Sequence, residues 1–128
     1  MNPTALFLVA LGGAIGSTAR YVLAFAAARA LPAGFPWGTI IINILGSFAI
    51  GWFAVLSAQN GRLPQTETTR AFVMAGLCGG FTTFSAFSLQ TFELLRAGEH
   101  HAAFANIVVS VTFCLAATML GATLGLPR

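Results

Sequence analysis

The sequence predicts an all-α membrane protein with four transmembrane helices, the third of them broken. Three observations carry that fold class. The 128 residues are 57% hydrophobic and only 7% charged, whereas a soluble domain carries about 25% charged residues. Four segments reach the roughly 20 apolar residues that a helix needs to cross the hydrocarbon core. The third of these segments contains a run of glycine and threonine residues that is unfavourable for a continuous helix.

The four predicted spans cover residues 4–28, 37–58, 71–95 and 102–126. The first lacks the basic n-region of a cleavable signal, so we expect it to be retained as a span. The connections at 31–36, 59–70 and 96–101 are short and carry helix-breaking or polar residues, so consecutive helices should run antiparallel. The lipid bilayer is the expected solvent. Nucleic acid is not an expected partner, because no basic cluster could neutralise a row of phosphates.

The loop charges hardly favour one orientation. The second connection and the C-terminus share one side and hold Arg62, Arg70 and Arg128, whereas the other side holds Arg29 and Arg96. Such a small excess leaves two arrangements open: one fixed orientation, or dual topology with copies inserted both ways. Four helices of one chain would enclose little of a conduction path, so oligomerisation is expected if the protein transports anything.

Polar residues form stripes on two of the apolar spans. Residues at four-residue spacing share a helix face, and two such stripes are present: Thr39, Asn43 and Ser47 in the second span, and Asn106, Ser110, Cys114 and Thr118 in the fourth. Hydrogen bonding between helices is the ordinary role of such stripes. A polar path is the alternative, and Asn43 favours it because a side-chain amide in lipid must find partners. The glycines, such as Gly12 and Gly16, favour close helix packing.

The break in the third span is expected within the segment 76–88, where paired glycines precede Thr82 and Thr83. A break frees backbone carbonyls that hydrocarbon cannot satisfy. Water, a side chain or a cation could satisfy them, and discontinuous membrane helices commonly turn carbonyls toward Na⁺. The alternative is a kink repaired by threonine hydroxyls.

Phe84 and Phe87 share a face beyond the break and could serve as packing residues or line an anion path, since an aromatic ring has a positive edge. Arg20 is the one charge deep in an apolar stretch, and it could either snorkel to an interface or face a water-filled vestibule. Neither role follows from the sequence pattern alone.

Three ordered motifs resemble those of the Fluc family of fluoride channels, also called CrcB, over nearly the whole chain. They read Gly12-Gly13-x-x-Gly16-Ser17-x-x-Arg20-Tyr21, then Pro36-Trp37-Gly38-Thr39-x-x-x-Asn43-x-x-Gly46, and then Gly76-x-x-Gly79-Gly80-Phe81-Thr82-Thr83-Phe84-Ser85-x-Phe87-Ser88. The third motif is the most specific.

The resemblance implies a fluoride-selective ion channel, not an enzyme, in the bacterial inner cell membrane. Such a multi-pass channel lets cytoplasmic fluoride leave passively and so lowers its toxicity. The resemblance also implies one transmembrane channel domain over residues 1–128, assembled as an antiparallel, dual-topology homodimer with two pores. A structural Na⁺, which is not transported, would be held by the backbone carbonyls of Gly79 and Thr82. The implied pore residues are Asn43, Phe84, Phe87, Ser85, Ser110 and Thr118, with Arg20 at a vestibule.

The sequence departs from the family pattern at three positions. Ala86 stands where a Ser or Thr is usual, Gln90 where a Glu is usual, and Cys114 where Ser is frequent. A thiol is a weaker donor than a hydroxyl. These departures bear on conduction rate more than on identity.

Two other function classes are compatible with four short-looped spans. A small multidrug-type proton-coupled transporter has a similar length, but it needs a membrane-embedded Glu in the first span, where this chain has only Arg20. A structural or assembly protein would leave the phenylalanine pair and the polar stripes as packing. Substitution of Asn43 or Phe84 with a flux assay separates that class from a channel.

Overall fold

The computed structural model describes residues 1–58, 61–63 and 66–126, and this part of the chain is all-helical. Its helices are α1 (Pro3–Ala30), α2 (Trp37–Leu56), α3 (residues 67–81), α4 (Phe84–Arg96) and α5 (His100–Gly125). Together α3 and α4 form the third membrane-length segment, Glu67–Arg96. Four segments are long and apolar enough to cross a membrane, as predicted, so the protein is a multi-pass membrane protein.

Two helix ends lie a few residues from the approximate span boundaries, and a side-chain hydroxyl is hydrogen-bonded to the backbone at each of them. The second span ends at Leu56 rather than 58, and the Ser57 hydroxyl there donates to the Phe53 carbonyl at 2.8 Å. The third begins at Glu67, not 71, because the Thr66 hydroxyl caps the Thr69 N–H at 3.1 Å. Part of the predicted connection 59–70, and Arg128, lie outside the described residues.

The third connection is shorter than predicted and consists of residues 97–99. Gly98 has a φ of 79°, a left-handed conformation that most L residues rarely adopt. The Glu99 N–H then donates to the Leu94 carbonyl at 2.9 Å and the Gly98 N–H to the Leu95 carbonyl at 3.1 Å, the pair of bonds that defines a Schellman motif. The chain therefore reverses tightly between α4 and α5.

Helix α1 is capped at its start by Asn2, whose side-chain oxygen accepts from the Thr4 N–H at 3.0 Å, with Pro3 in the first turn. Proline suits that position because its missing N–H would be unpaired there in any case. At the other end Arg29 lies in the last turn, where a cation complements the helix dipole.

The bundle is held together by close helix contacts at glycines. The most extensive contacts are between α1 and α3 and between α2 and α5. A Cβ built on Gly12 would lie 2.5 Å from the Phe72 carbonyl oxygen, and one on Gly51 would overlap the Thr118 carbonyl. These contacts support the packing role expected for the glycines.

The third span contains π-helical turns, which are wider than α-helical ones, and is then interrupted by two extended residues. Residues 71–78 form π-helical turns, and the helix ends at Phe81. Thr82 and Thr83 are extended, with ψ angles of 159° and 109°, and the helix resumes at Phe84. The interruption falls within the segment where the sequence predicts a break, at the two threonines rather than at Gly79 and Gly80.

Candidate functional site

A cavity of about 310 Å³ lies at the interruption of the third span. Residues from α2, α3, α4 and α5 meet around it. Its walls combine an amide, hydroxyls, thiols, aromatic rings and aliphatic side chains, namely Asn43, Gly46, Ser47, Ile50, Cys78, Gly79, Thr82, Thr83, Phe84, Phe87, Ser110, Val111 and Cys114. Six of the residues predicted for the pore and cation sites are among them.

The Asn43 side chain makes a two-point clasp on the backbone of Thr83. Its Nδ2 donates to the Thr83 carbonyl at 3.1 Å, and its Oδ1 accepts from the Thr83 N–H at 2.8 Å. One amide therefore satisfies both backbone groups of an extended residue inside a membrane-length segment. Only one of the two Nδ2 hydrogens is used in the clasp, so Asn43 keeps one donor beside the cavity.

The clasp diverts a donor from the Gly79 carbonyl. In a continuous α-helix the Thr83 N–H would donate to that carbonyl, four residues earlier. The Ala86 N–H is diverted in the same way, because it donates to the Thr83 hydroxyl at 3.2 Å instead of to the Thr82 carbonyl. The carbonyls of Gly79 and Thr82, which are predicted as Na⁺ ligands, are thus two of the four carbonyls at residues 79–82 that lose their α-helical donors at the break. Of the other two, the Gly80 carbonyl accepts from the Ser17 hydroxyl at 3.4 Å.

The backbone carbonyl oxygens at the break are ligands of the kind that a hard cation prefers, and one chain supplies part of such a site. Gly79 and Thr82 both line the cavity, and carbonyl oxygen at a broken membrane helix is a usual ligand for Na⁺. The Cys78 carbonyl, in contrast, is occupied twice: the Thr82 N–H and the Thr82 hydroxyl both donate to it at 2.9 Å. The threonine hydroxyls therefore repair only part of the break, and the Gly79 and Thr82 carbonyls are among those that lose their α-helical donors there.

The phenylalanine pair lies against the same cavity. The ring centroids of Phe84 and Phe87 are 5.3 Å apart with planes inclined by 47°, so the rings are tilted rather than stacked. Phe87 is half-buried, whereas Phe84 is 77% exposed in the single chain. The exposed face of the Phe84 ring is therefore available for contact with lipid or with another protein chain.

Three predicted site residues lie outside the cavity lining. Ser85 is exposed, with its hydroxyl oxygen 3.2 Å from that of Thr83. The Thr118 hydroxyl donates to the Cys114 carbonyl at 3.1 Å on the same helix. Arg20 is half-buried on α1.

Sequence reasoning missed Thr83 as a structural centre of the site. It is buried, it caps α4, and its backbone is the partner of Asn43. Its position three residues before Ala86, with helix-compatible residues following, was the available signal for a helix cap. Its pairing with Asn43 leaves no local pattern in the sequence.

Gln90 lies in a second cavity, of about 260 Å³, formed by the end of α1, the first connection and the start of α2. Its Oε1 is buried without a hydrogen-bond partner among the described residues. A cavity of this size has room for water. Gln90, which stands where the family pattern has Glu, therefore lines the second cavity and not the cavity at the break.

Comparison with known proteins gives consistent relatives over almost the whole chain. The model of the family described as "CrcB-like protein, Camphor Resistance (CrcB)" matches residues 7–122. A "Fluoride-specific ion channel FluC" from Methylobacterium radiotolerans is 50% identical over 123 residues, which cover 94% of this chain and 84% of the relative. A protein with the same description from Paramagnetospirillum magneticum is 53% identical, with 89% of both chains covered. One from Opitutus terrae is 51% identical, with 88% of this chain and 86% of the relative covered.

Proposed function

Because this chain belongs to the CrcB family, we propose that it is a fluoride-specific ion channel of the bacterial cell membrane. The observation that carries the proposal is the cavity at the broken helix, which combines Asn43, Phe84, Phe87 and Ser110. None of the described residues lining it has an acidic or basic side chain. The channel lets fluoride leave the cytoplasm passively and so lowers its toxicity.

The chemistry of the cavity suits a small, strongly hydrated anion. Conduction requires binding that is favourable enough for entry and weak enough for release. A full positive charge in the path would hold the ion, whereas an amide N–H, hydroxyls and ring edges replace its hydration with weak donors in turn. The free Nδ2 hydrogen of Asn43 and the tilted Phe84 and Phe87 rings supply such donors. Ser85, Ser110 and Thr118 are further polar side chains along this track in the proposal, although the Ser110 hydrogen itself is engaged by Asn106 Oδ1 at 3.2 Å. Arg20 raises the local anion concentration at a vestibule in the same proposal.

The carbonyls of Gly79 and Thr82 would hold a structural sodium ion, which is not transported. Their diverted helical donors support this assignment. A bound Na⁺ supplies a positive charge that satisfies both carbonyl dipoles where hydrocarbon cannot. Two carbonyls are few for a hard cation, so a second copy of the chain contributes the same pair.

The functional unit in this proposal is an antiparallel homodimer of dual topology with two pores. In the single chain Gly79 is exposed and Phe84 is 77% exposed. This exposure supports the proposal that a second copy packs beside the break. The charges of the described residues support dual topology, since Arg62 and Arg70 on one side are matched by Arg29 and Arg96 on the other. Two opposed copies then stand where other transporters have an inverted repeat.

The test is fluoride efflux from liposomes, read with a fluoride electrode and with chloride as the control ion. We expect the wild-type protein to pass fluoride and not chloride. Phe84→Ile should remove most of that flux because it replaces a ring edge with an aliphatic group of similar bulk. Phe104→Ile is the matched control, since Phe104 is 69% exposed and lies outside the cavity lining. Equal fluoride flux in the Phe84 and Phe104 variants would contradict the assigned path.

A further inference from the structure

Three hydrogen bonds in series run from Ser110 on α5 to the Phe87 carbonyl on α4, and the middle one joins the two helices. The Ser110 hydroxyl lies 3.2 Å from Asn106 Oδ1, Asn106 Nδ2 lies 2.9 Å from the Thr91 hydroxyl, and that hydroxyl lies 2.8 Å from the Phe87 carbonyl. The two ends of the series, Ser110 and Phe87, line the cavity, whereas Asn106 and Thr91 do not. Asn106 is 1% exposed, so its amide depends on these partners.

The direction of every bond in the series is fixed by its last acceptor. The Phe87 carbonyl can only accept, so the Thr91 hydroxyl uses its single hydrogen there. Thr91 must then accept from Asn106, which turns the NH₂ of the amide to Thr91 and its oxygen to Ser110. Since an amide oxygen cannot donate, Ser110 must donate to it.

The hydrogen of Ser110 is therefore directed away from the cavity that Ser110 lines. Toward the cavity the hydroxyl offers oxygen lone pairs, which attract cations and repel anions. We propose that Asn106 is a positioning residue that withholds the Ser110 donor from the permeating fluoride, so that the anion is bound weakly at this point and leaves readily. The inference rests on the proposed fluoride function and assigns to Asn106 and Thr91 a role in setting ion affinity.

The test compares half-saturating fluoride concentrations for efflux from liposomes in a double-mutant cycle. Asn106→Leu keeps the size of the side chain and removes the acceptor of the Ser110 hydrogen. The released hydroxyl can then turn to fluoride, and we expect the half-saturating concentration to fall about fivefold, the factor for one additional hydrogen bond of ordinary net strength. In a Ser110→Ala background the same Asn106→Leu change should leave that concentration unaltered.

A second variant covers a failure of Asn106→Leu to fold. Thr91→Val is close in shape and removes the acceptor that fixes the Asn106 amide, so the amide can rotate and release Ser110. We expect a shift in the same direction, again absent in the Ser110→Ala background.

Two results would overturn the inference alone while wild-type fluoride flux persists. One is an unchanged half-saturating concentration in both variants, as when the released Ser110 hydroxyl turns to the backbone carbonyl four residues earlier. The other is an equal shift with and without Ser110, which would assign the effect to general loosening of α4 and α5. Absence of fluoride flux in the wild-type protein would overturn the proposed function and this inference with it.

Discussion

At the scale of single residues, Asn43 has a structural and a proposed functional role at once. Its amide holds both backbone groups of Thr83 in place and keeps one hydrogen for the cavity. The first role makes the second possible, because the clasp fixes the amide's position and orientation beside Phe84 and Phe87. A ligand group fixed in this way needs no reorganisation when the ion arrives.

Asn43→Ala should therefore reduce stability as well as flux. The substitution leaves the Thr83 N–H without its partner in a largely apolar surrounding, and an unsatisfied buried backbone group costs about 1–3 kcal/mol. The Thr83 carbonyl loses its bond from Asn43 but, as the N-cap carbonyl of α4, keeps the first intrahelical bond. We expect a clear loss of resistance to denaturant in detergent together with loss of fluoride flux. Ser47→Ala, one turn further along the same face, is the matched control and should affect stability little. Full stability of Asn43→Ala with abolished flux would show that the clasp contributes nothing to folding.

The sequence predicts that Asn43 needs partners but does not identify them. An amide in an apolar span is costly unless it is paired, and this argument requires only the residue type. Thr83 lies 40 positions away, so no local spacing connects the two residues. The sequence also predicts that the polar stripe on the fourth span hydrogen-bonds to another helix, and Asn106 does so with Thr91 on α4. The continuation from Thr91 to the Phe87 carbonyl follows only from the geometry.

At the scale of elements, the third span combines three backbone forms in one membrane-length segment. Wide turns lead to an extended pair of residues, and a new helix follows under the Thr83 cap. The glycine and threonine content predicts a low helix propensity over residues 76–88, because the helix propensities of neighbouring residues add along a segment. The position of the break does not follow from propensity, since Gly79 and Gly80 remain helical and the side chain of another helix selects Thr83.

Two adjacent glycines of α1 provide a matched test of the packing that holds this segment. A Cβ at Gly12 would press on the backbone of α3, 2.5 Å from the Phe72 carbonyl oxygen, whereas a Cβ at Gly13 meets nothing within 4 Å. We expect Gly12→Ala to lower stability by several kcal/mol, because backbone cannot move aside as a flexible side chain can. Gly13→Ala should be neutral or slightly stabilising, since alanine favours a helix by about 1 kcal/mol over glycine.

The readout is thermal unfolding of the two variants in detergent, followed by fluoride flux of whatever remains folded. Equal stability of Gly12→Ala and Gly13→Ala would mean that α1 and α3 separate without cost. In that case the glycine contacts would not hold the interrupted span in place.

At the scale of the whole molecule, one chain provides half of what the proposed channel requires. Gly79 and Thr82 offer two carbonyls, and Phe84 is largely uncovered. The sequence predicts the four spans from length and hydropathy alone, yet it contains no local signal for how two copies meet. That arrangement comes from the family resemblance and remains a proposal.

Removal of sodium tests the proposed centre between the copies. We expect fluoride flux to be lost when Na⁺ is replaced by a large organic cation, because the carbonyls of Gly79 and Thr82 are then unsatisfied at the break. Thr82→Val keeps the carbonyl and the shape of the side chain, so this variant should retain both flux and sodium dependence. Undiminished flux of the wild-type protein in sodium-free buffer would contradict the site.

Dual topology can be tested through the arginines at the two ends of the bundle. Replacing Arg29 and Arg96 with Gln leaves Arg62, Arg70 and Arg128 all on one side, and a strong Lys/Arg bias fixes orientation. We expect this variant to insert one way only and to be inactive alone, since opposed copies no longer form. The reciprocal variant, with Gln at positions 62 and 70, leaves Arg128 against two arginines and should favour the other orientation. Co-expression of the two should restore fluoride resistance, because each supplies the orientation that the other lacks. Full activity of the Arg29 and Arg96 variant by itself, with a single orientation confirmed by labelling of its termini, would instead require a channel of parallel copies or of one chain.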